Sequence, residues 1–172
     1  MTRINLVVPT KEYEAQAKEY IEEHKKNGEF NLYGGARLGK VPYDEWLQQL
    51  KNNSDEKTVH PKWVISSTFF AVVNGRIIGL IDIRHTLNCF LQNGGGHIGY
   101  GVRPSERSKG YATELLNLGL NYCKDIGLEK VMLACYKENR ASSKTIEKCG
   151  GKLDREFIYH DGKMVQVYWI SI

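Results

Sequence analysis

The run Ser67-Thr-Phe-Phe-Ala-Val-Val73, then Asn74-Gly75, then Arg76-Ile-Ile-Gly-Leu-Ile-Asp-Ile-Arg84 constrains the fold most. β-Branched and aromatic residues crowd both runs, and Asn-Gly supplies the two positive φ angles that a type I′ turn needs. A β-hairpin is therefore expected near the middle of a chain of 172 residues. That length suits one domain, and no Pro/Ser-rich linker divides it. At this size a hydrophobic core needs no metal or disulfide staple.

Around the hairpin the period changes. Leu6-Val7-Val8 reads as a first strand, stopped by Pro9. Thr10 can cap a helix on which Tyr13, Ala17, Tyr20, Ile21 and His24 recur at helical spacing, ended by Asn27-Gly28. Phe30 to Lys40 reads as loop, and Asp44 to Lys51 as a short helix carrying Trp46, Leu47 and Leu50. After the hairpin, Gly94 to Gly96 lead into a strand His97–Val102 that Pro104 ends. Gly110 to Ile126 predicts an amphipathic helix closed by Gly127, and Lys130–Cys135 a buried strand. Asn139 caps a helix running to Cys149. A second hairpin, Lys152–Tyr159 and Lys163–Ile170, turns at Asp161-Gly162. The order β-α-α-β-β-β-α-β-α-β-β predicts a mixed sheet flanked by helices.

Composition narrows the partners. With 24 basic and 20 acidic residues the charge is only +4, too mild for nucleic acid without a concentrated patch. No apolar run reaches the ~18–20 residues that cross a bilayer, so no membrane partner is expected. Cys89, Cys123, Cys135 and Cys149 form no C-x-x-C pair and read as buried thiols of a cytoplasmic protein. No metal is expected.

The chemistry concentrates in Val102-Arg-Pro-Ser-Glu-Arg107-Ser-Lys-Gly110-Tyr-Ala112. A strand, a basic glycine-containing loop and a helix start follow one another, so unpaired N–H groups converge at the positive end of the helix dipole. A phosphate or diphosphate suits that place. Gly110 lets the backbone approach closely, Ala112 leaves room, and Arg103, Arg107 and Lys109 add attraction. The plainer alternative is an ordinary loop with solvated basic side chains.

Arg107-x-x-Gly110-x-Ala112 resembles the acetyl-CoA motif, Q/R-x-x-G-x-G/A, of the GNAT superfamily of N-acetyltransferases. Asn139-x-x-Ser142, Glu147-Lys-Cys-Gly150 and the element order resemble the family too, most closely over residues 67–172. Arg84 to Asn88, Gly96 to Tyr100 and Val102 to Ser105 are similar to a bacterial subgroup of unassigned substrate. The resemblance implies an α/β fold (an α+β mixed sheet) of the acyl-CoA N-acyltransferase kind. Its mostly antiparallel central sheet is splayed between the fourth and fifth strands. Residues 1–172 would form one domain, with acceptor-side helices at about 10–52, a donor core at about 67–151 and a hairpin at 152–172. It also implies acetyl-CoA as co-substrate. Its diphosphate would lie on the amides of Arg107, Ser108, Lys109, Gly110, Tyr111 and Ala112, its pantetheine beside Tyr100, Gly101 and Val102, with Asn139 and Ser142 near. An N–H of that strand would polarise the thioester carbonyl.

The acceptor side stays open. A free amine has a pKa of ~10.4 and needs a base, for which His97 and His85 are candidates. His97 lies one residue out of phase with the family's acid/base positions, so a structural histidine is an equal reading. His85, with Arg84 and Asn88, reads alternatively as a group contacting substrate. Ile146 stands where many members carry an acid tyrosine; Tyr136 is the substitute, or else a core residue. Gly94-x-Gly96-x-x-Gly99 is not a dinucleotide fingerprint, because it precedes a strand and opens no helix. The expectation is acetyl transfer to a primary amine by direct attack, with a non-catalytic CoA-binding module as the alternative and a homodimer conceivable.

Overall fold

Residues 2–172 are described in a computed structural model. Strands β1 (Asn5–Val7), β2 (Ser66–Val73), β3 (Arg76–Arg84) and β4 (Ile98–Val102) form one antiparallel sheet in that order. Strands β5 (Lys130–Tyr136), β6 (Lys152–Ile158) and β7 (Met164–Ser171) form a second, ordered β5-β7-β6. The expected hairpins are both present. Asn74 and Gly75 adopt φ of 49° and 76°, as a type I′ turn requires, and Gly162 at 81° closes the second turn.

Helices α1 (Glu14–Lys26) and α2 (Tyr43–Asn53) cover one face of the first sheet. Their buried Ala17, Tyr20, Tyr43 and Trp46 meet Phe70, Val72, Ile77 and Leu80. The other face carries α3 (Tyr111–Asp125), with Leu115, Leu116, Leu120 and Cys123 packed on Ile81, Ile83 and Ile98, while α4 (Arg140–Lys148) lies beside α3 on β5. Burial of that alternating strand pattern against two helical layers supplies the main stabilisation.

Local details differ from the sequence reading. Thr10 makes no side-chain cap; a 3₁₀ turn at Lys11–Tyr13 intervenes before α1. The Gly94–Gly96 stretch belongs to a π-helical turn, Leu91–Gly95, which Gly96 ends at φ 67°. Loop 30–40 lies flat on β3 and β4. A Cβ on Gly34 would fall 2.7 Å from Leu80 O and 2.8 Å from Gly99 O, at φ +74°. Trp46 fixes that loop by donating its indole N–H to Gly35 O at 2.9 Å.

Candidate active site

The two sheets meet at one point. His97 N–H donates to Met132 O at 2.8 Å, and Met132 N–H donates to His97 Nδ1 at 2.9 Å. Beyond this joint β4 and β5 are not hydrogen-bonded to each other. The register shows what each edge offers. Arg84 N–H donates to His97 O at 2.7 Å and Arg103 N–H to Ile78 O at 2.8 Å, so the peptide groups of Gly99 and Gly101 turn toward β3. Alternation turns those of Tyr100 and Val102 the other way, into the gap. On β5, Lys137 N–H donates to Met164 O at 2.9 Å, so Leu133 and Cys135 turn toward β7 and Ala134 and Tyr136 toward the gap. Two strand edges therefore line a slot that opens away from His97; the peptide groups turned into it lack protein partners except Val102 O, which accepts from Arg107 Nε–H at 3.1 Å, and Tyr136 O, which accepts from Asn139 N–H at 2.9 Å.

That slot leads to the start of α3. From Ser108 to Thr113 no backbone N–H has a protein partner among the described residues; the first helical bond is Glu114 N–H to Gly110 O at 3.2 Å. Ser108 and Gly110 both take left-handed conformations, at φ 62° and 85°, and bend the loop around its own amides. Six consecutive N–H donors at a helix N-terminus are left without a protein partner, an arrangement that suits an anion.

The basic side chains behave differently from that expectation. Arg103 is buried and in ion-pair contact with Glu23 at 2.7 Å, while its Nη1 donates to Ile77 O at 3.1 Å. Arg107 forks onto Glu29 at 2.6 and 2.7 Å and donates its Nε–H to Val102 O at 3.1 Å. Lys109 pairs with Glu106 at 2.9 Å. Their charges are engaged by carboxylates, and the loop presents its backbone. Arg107 acts as a brace between β4 and the loop after α1.

Asn139 spends its Oδ1 on the Ser142 amide at 3.1 Å, capping α4, as the sequence predicted. The Ser142 hydroxyl lies 3.4 Å from the Tyr100 hydroxyl and beside the Cys135 thiol. Burial pushes the Tyr100 phenol up to about 12 and raises the Cys135 and Cys149 thiols; Cys123 rises to about 12. These thiols stay protonated at neutral pH, which disfavours a cysteine relay.

Both candidate bases sit at the closed end of the gap. His97 pins the sheets together with its Nδ1 lone pair occupied, and burial, with the Arg84 charge, lowers its pKa to about 4. His85 lies past the end of β3, its Nε2 2.9 Å from the Ser67 hydroxyl, which also contacts the Tyr122 hydroxyl at 2.8 Å. Burial lowers its pKa as well, against the Asp82 charge. Each histidine thus has a hydrogen-bond partner within the protein. Asn88 is likewise consumed, donating to Lys62 O at 3.1 Å and accepting from Leu91 N–H at 3.0 Å, which starts the turn ending at Gly95. Arg84 lies over Gly99, its Nε 2.9 Å from Asp82 and its Nη1 3.3 Å from Gly95 O.

At the open end Tyr136 donates its hydroxyl to Asp161 at 2.8 Å, and that bond, then burial, raises the phenol to about 12. Asp161 itself is held below the usual carboxylate range by the Lys163 amide and Tyr136. Sequence reading gave Asp161 a turn and nothing more. Only the return of the last hairpin to the end of β5 brings it to the mouth. Tyr33, whose carbonyl lies 2.8 Å from where a Gly101 Cβ would be, walls the opposite side.

The sequence matches the acetyltransferase (GNAT) domain family over residues 3–152, and the chain belongs to that family. Solved structures share its fold. The microcin C7 self-immunity acetyltransferase MccE, in complex with acetyl-CoA and AMP, matches at TM-score 0.71 and 20 % identity, over 99 % of this chain and 93 % of that one. RimL, a ribosomal L7/L12 α-N-protein acetyltransferase in complex with coenzyme A, matches at TM-score 0.72 and 14 % identity, over 100 % and 96 %. A spermidine N-acetyltransferase chimera of SpeG from Vibrio cholerae and hSSAT matches at 0.65 and 18 %, over 99 % and 96 %. No curated protein sequence matches significantly. No described helix is long and apolar enough to cross a membrane.

Proposed function

We propose that this protein transfers the acetyl group of acetyl-CoA to a primary amine by direct attack. The observation that carries the reading is a line of backbone N–H donors without a protein partner among the described residues. It runs from the slot between Tyr100–Val102 and Ala134–Tyr136 to the six amides of Ser108–Thr113. The slot suits the amides of a pantetheine arm, and the loop suits its diphosphate. Asn139 keeps its Nδ2 for the same arm, since only its Oδ1 is spent on the cap. The N–H of Tyr100 or Val102 is directed where a thioester carbonyl would lie and would stabilise the oxyanion.

In this reading the amine approaches past Tyr33, meets the Asp161 carboxylate as an ammonium, and loses its proton to water. Its nitrogen then bonds to the carbonyl carbon as the carbon–sulfur bond breaks, and the second proton that the nitrogen sheds passes through water to restore the Tyr136 hydroxyl after that hydroxyl has protonated the thiolate. The Tyr136 hydroxyl, protonated at neutral pH, is the group in this chain that we assign to return a proton to the thiolate. Two solved structures that share this fold hold the cofactor, MccE with acetyl-CoA and RimL with coenzyme A. The placement of both histidines at the closed end favours one alternative, a CoA-binding module without turnover.

Calorimetry with acetyl-CoA and a thiol-release assay over a panel of amines test the reading. Binding together with amine-dependent thiol release is expected. Gly110→Asp should weaken acetyl-CoA at least tenfold more than Gly110→Ala, because both strain φ +85° but only Asp adds charge against the diphosphate. Absence of binding refutes the reading, and binding without release on any amine selects the alternative.

A further inference from the structure

The N-terminal arm reaches the start of α3, more than a hundred residues away in sequence. Arg3 donates its Nη2–H to Lys109 O at 3.1 Å, and its Nε lies 3.0 Å from Glu114 Oε2. Glu114 Oε1 in turn accepts the Arg3 amide and, at 2.8 Å, the Ile4 amide. The guanidinium stacks on the Tyr111 ring at 4.2 Å from its centroid. It also lies 3.5 Å from where a Gly110 Cβ would be. Arg3 therefore stands on the outer rim of the loop that carries the free amides.

Its surroundings set its charge apart from those of Arg103, Arg107 and Lys109, whose partners lie away from the loop's amides. Glu114 sits in the first turn of α3, where its negative charge favours the helix but competes with any incoming anion for the same dipole end. Arg3 cancels that charge. Its Nη1 has no partner among the described residues, and half of its side chain remains in solvent. A planar guanidinium with free donors, held rigid by stacking and by two carbonyl and carboxylate contacts, is built for phosphate oxygens.

We infer that Arg3 is a donor-binding residue that contacts a phosphate of CoA at the rim of the Ser108–Ala112 loop. The inference rests on the acetyl-CoA reading above. Binding of CoA and of dephospho-CoA (which lacks the 3′-phosphate) is measured by calorimetry for the wild type, Arg3→Gln and Glu114→Gln. Arg3→Gln should weaken CoA about tenfold, and the ratio to wild type should shrink as salt rises from 50 to 500 mM, where the screening length shortens to ~4 Å. Glu114→Gln keeps the acceptor for the Ile4 amide and removes the opposing charge, so CoA should bind as well as or better than in wild type.

If the Arg3 effect vanishes with dephospho-CoA, the 3′-phosphate is the contact; if it persists, the diphosphate is. Equal weakening by both substitutions would mean that Arg3 only shapes the loop through Glu114, and would overturn the inference. So would Arg3→Gln binding CoA like wild type. A wild type that binds no CoA would instead refute the acetyl-CoA reading itself.

Discussion

Replacing Glu29 by Gln isolates the brace that holds the loop before α3. The Glu29 carboxylate accepts both Arg107 guanidinium nitrogens at 2.6 and 2.7 Å, His24 Nδ1 at 2.7 Å and Asn27 Nδ2 at 2.7 Å. Led by the Arg107 fork, these contacts hold its pKa at about 2 instead of 4.5. At full weight that gap corresponds to roughly 3 kcal/mol. Glu29 and Arg107 keep 31 % and 43 % of their side-chain surfaces in solvent, so screening reduces the expected contribution to about 1–2 kcal/mol.

The folded-state pKa is depressed, so the unfolded chain binds the proton more readily. The stabilisation is complete above pH 4.5 and is lost as pH falls toward 2. Urea unfolding followed by tryptophan fluorescence should therefore show Glu29→Gln less stable by about 1–2 kcal/mol at pH 7, with more than half of the difference gone by pH 3. A difference below about 0.3 kcal/mol at pH 7, or one equally large at pH 3, would refute the brace.

Two further outcomes follow from the same geometry. Because His97 is lowered to about 4, it is neutral through the working range and its stabilisation is lost as pH falls from 6.5 through 4. His97→Gln should lower Tm by several degrees without removing any titration between pH 6 and 8 from the pH–rate profile; loss of such a titration would restore it as a base. Gly34→Ala should cost about 2 kcal/mol or more in chemical denaturation, since its Cβ would meet three backbone atoms of β3 and β4 within 3.0 Å. An Ala variant as stable as wild type would mean that loop 30–40 does not rest on the sheet.

Element types were legible because they depend on local periodicity and turn chemistry. Asn74-Gly75 and Gly127 act within a few residues of themselves, and Asn139 caps α4 through Ser142, three residues on. The 3₁₀ turn before α1 and the π-helical turn at Leu91–Gly95 were not legible. They arise from Tyr43 holding the Thr10 carbonyl, at 2.8 Å, and from the glycine run folding back on β5. The run of free amides before α3 was legible in the same local sense, because unpaired N–H groups at a helix start are a property of the backbone.

The fate of side chains was not. Arg107 looked free in sequence, but Glu29, 78 residues earlier, takes its charge. His97 reads from sequence equally as a base or a structural residue, and only the convergence of the sheets shows its Nδ1 accepting from the Met132 amide. Asp161 looked like turn punctuation until the last hairpin delivered it to Tyr136. The sequence by itself determined where strands, helices and a turn with free amides would form. Tertiary structure alone decided which charges are spent on one another and which residues hold the joint where the sheet parts. Ion pairing and strand separation depend on partners brought together across the chain, and no local pattern encodes them.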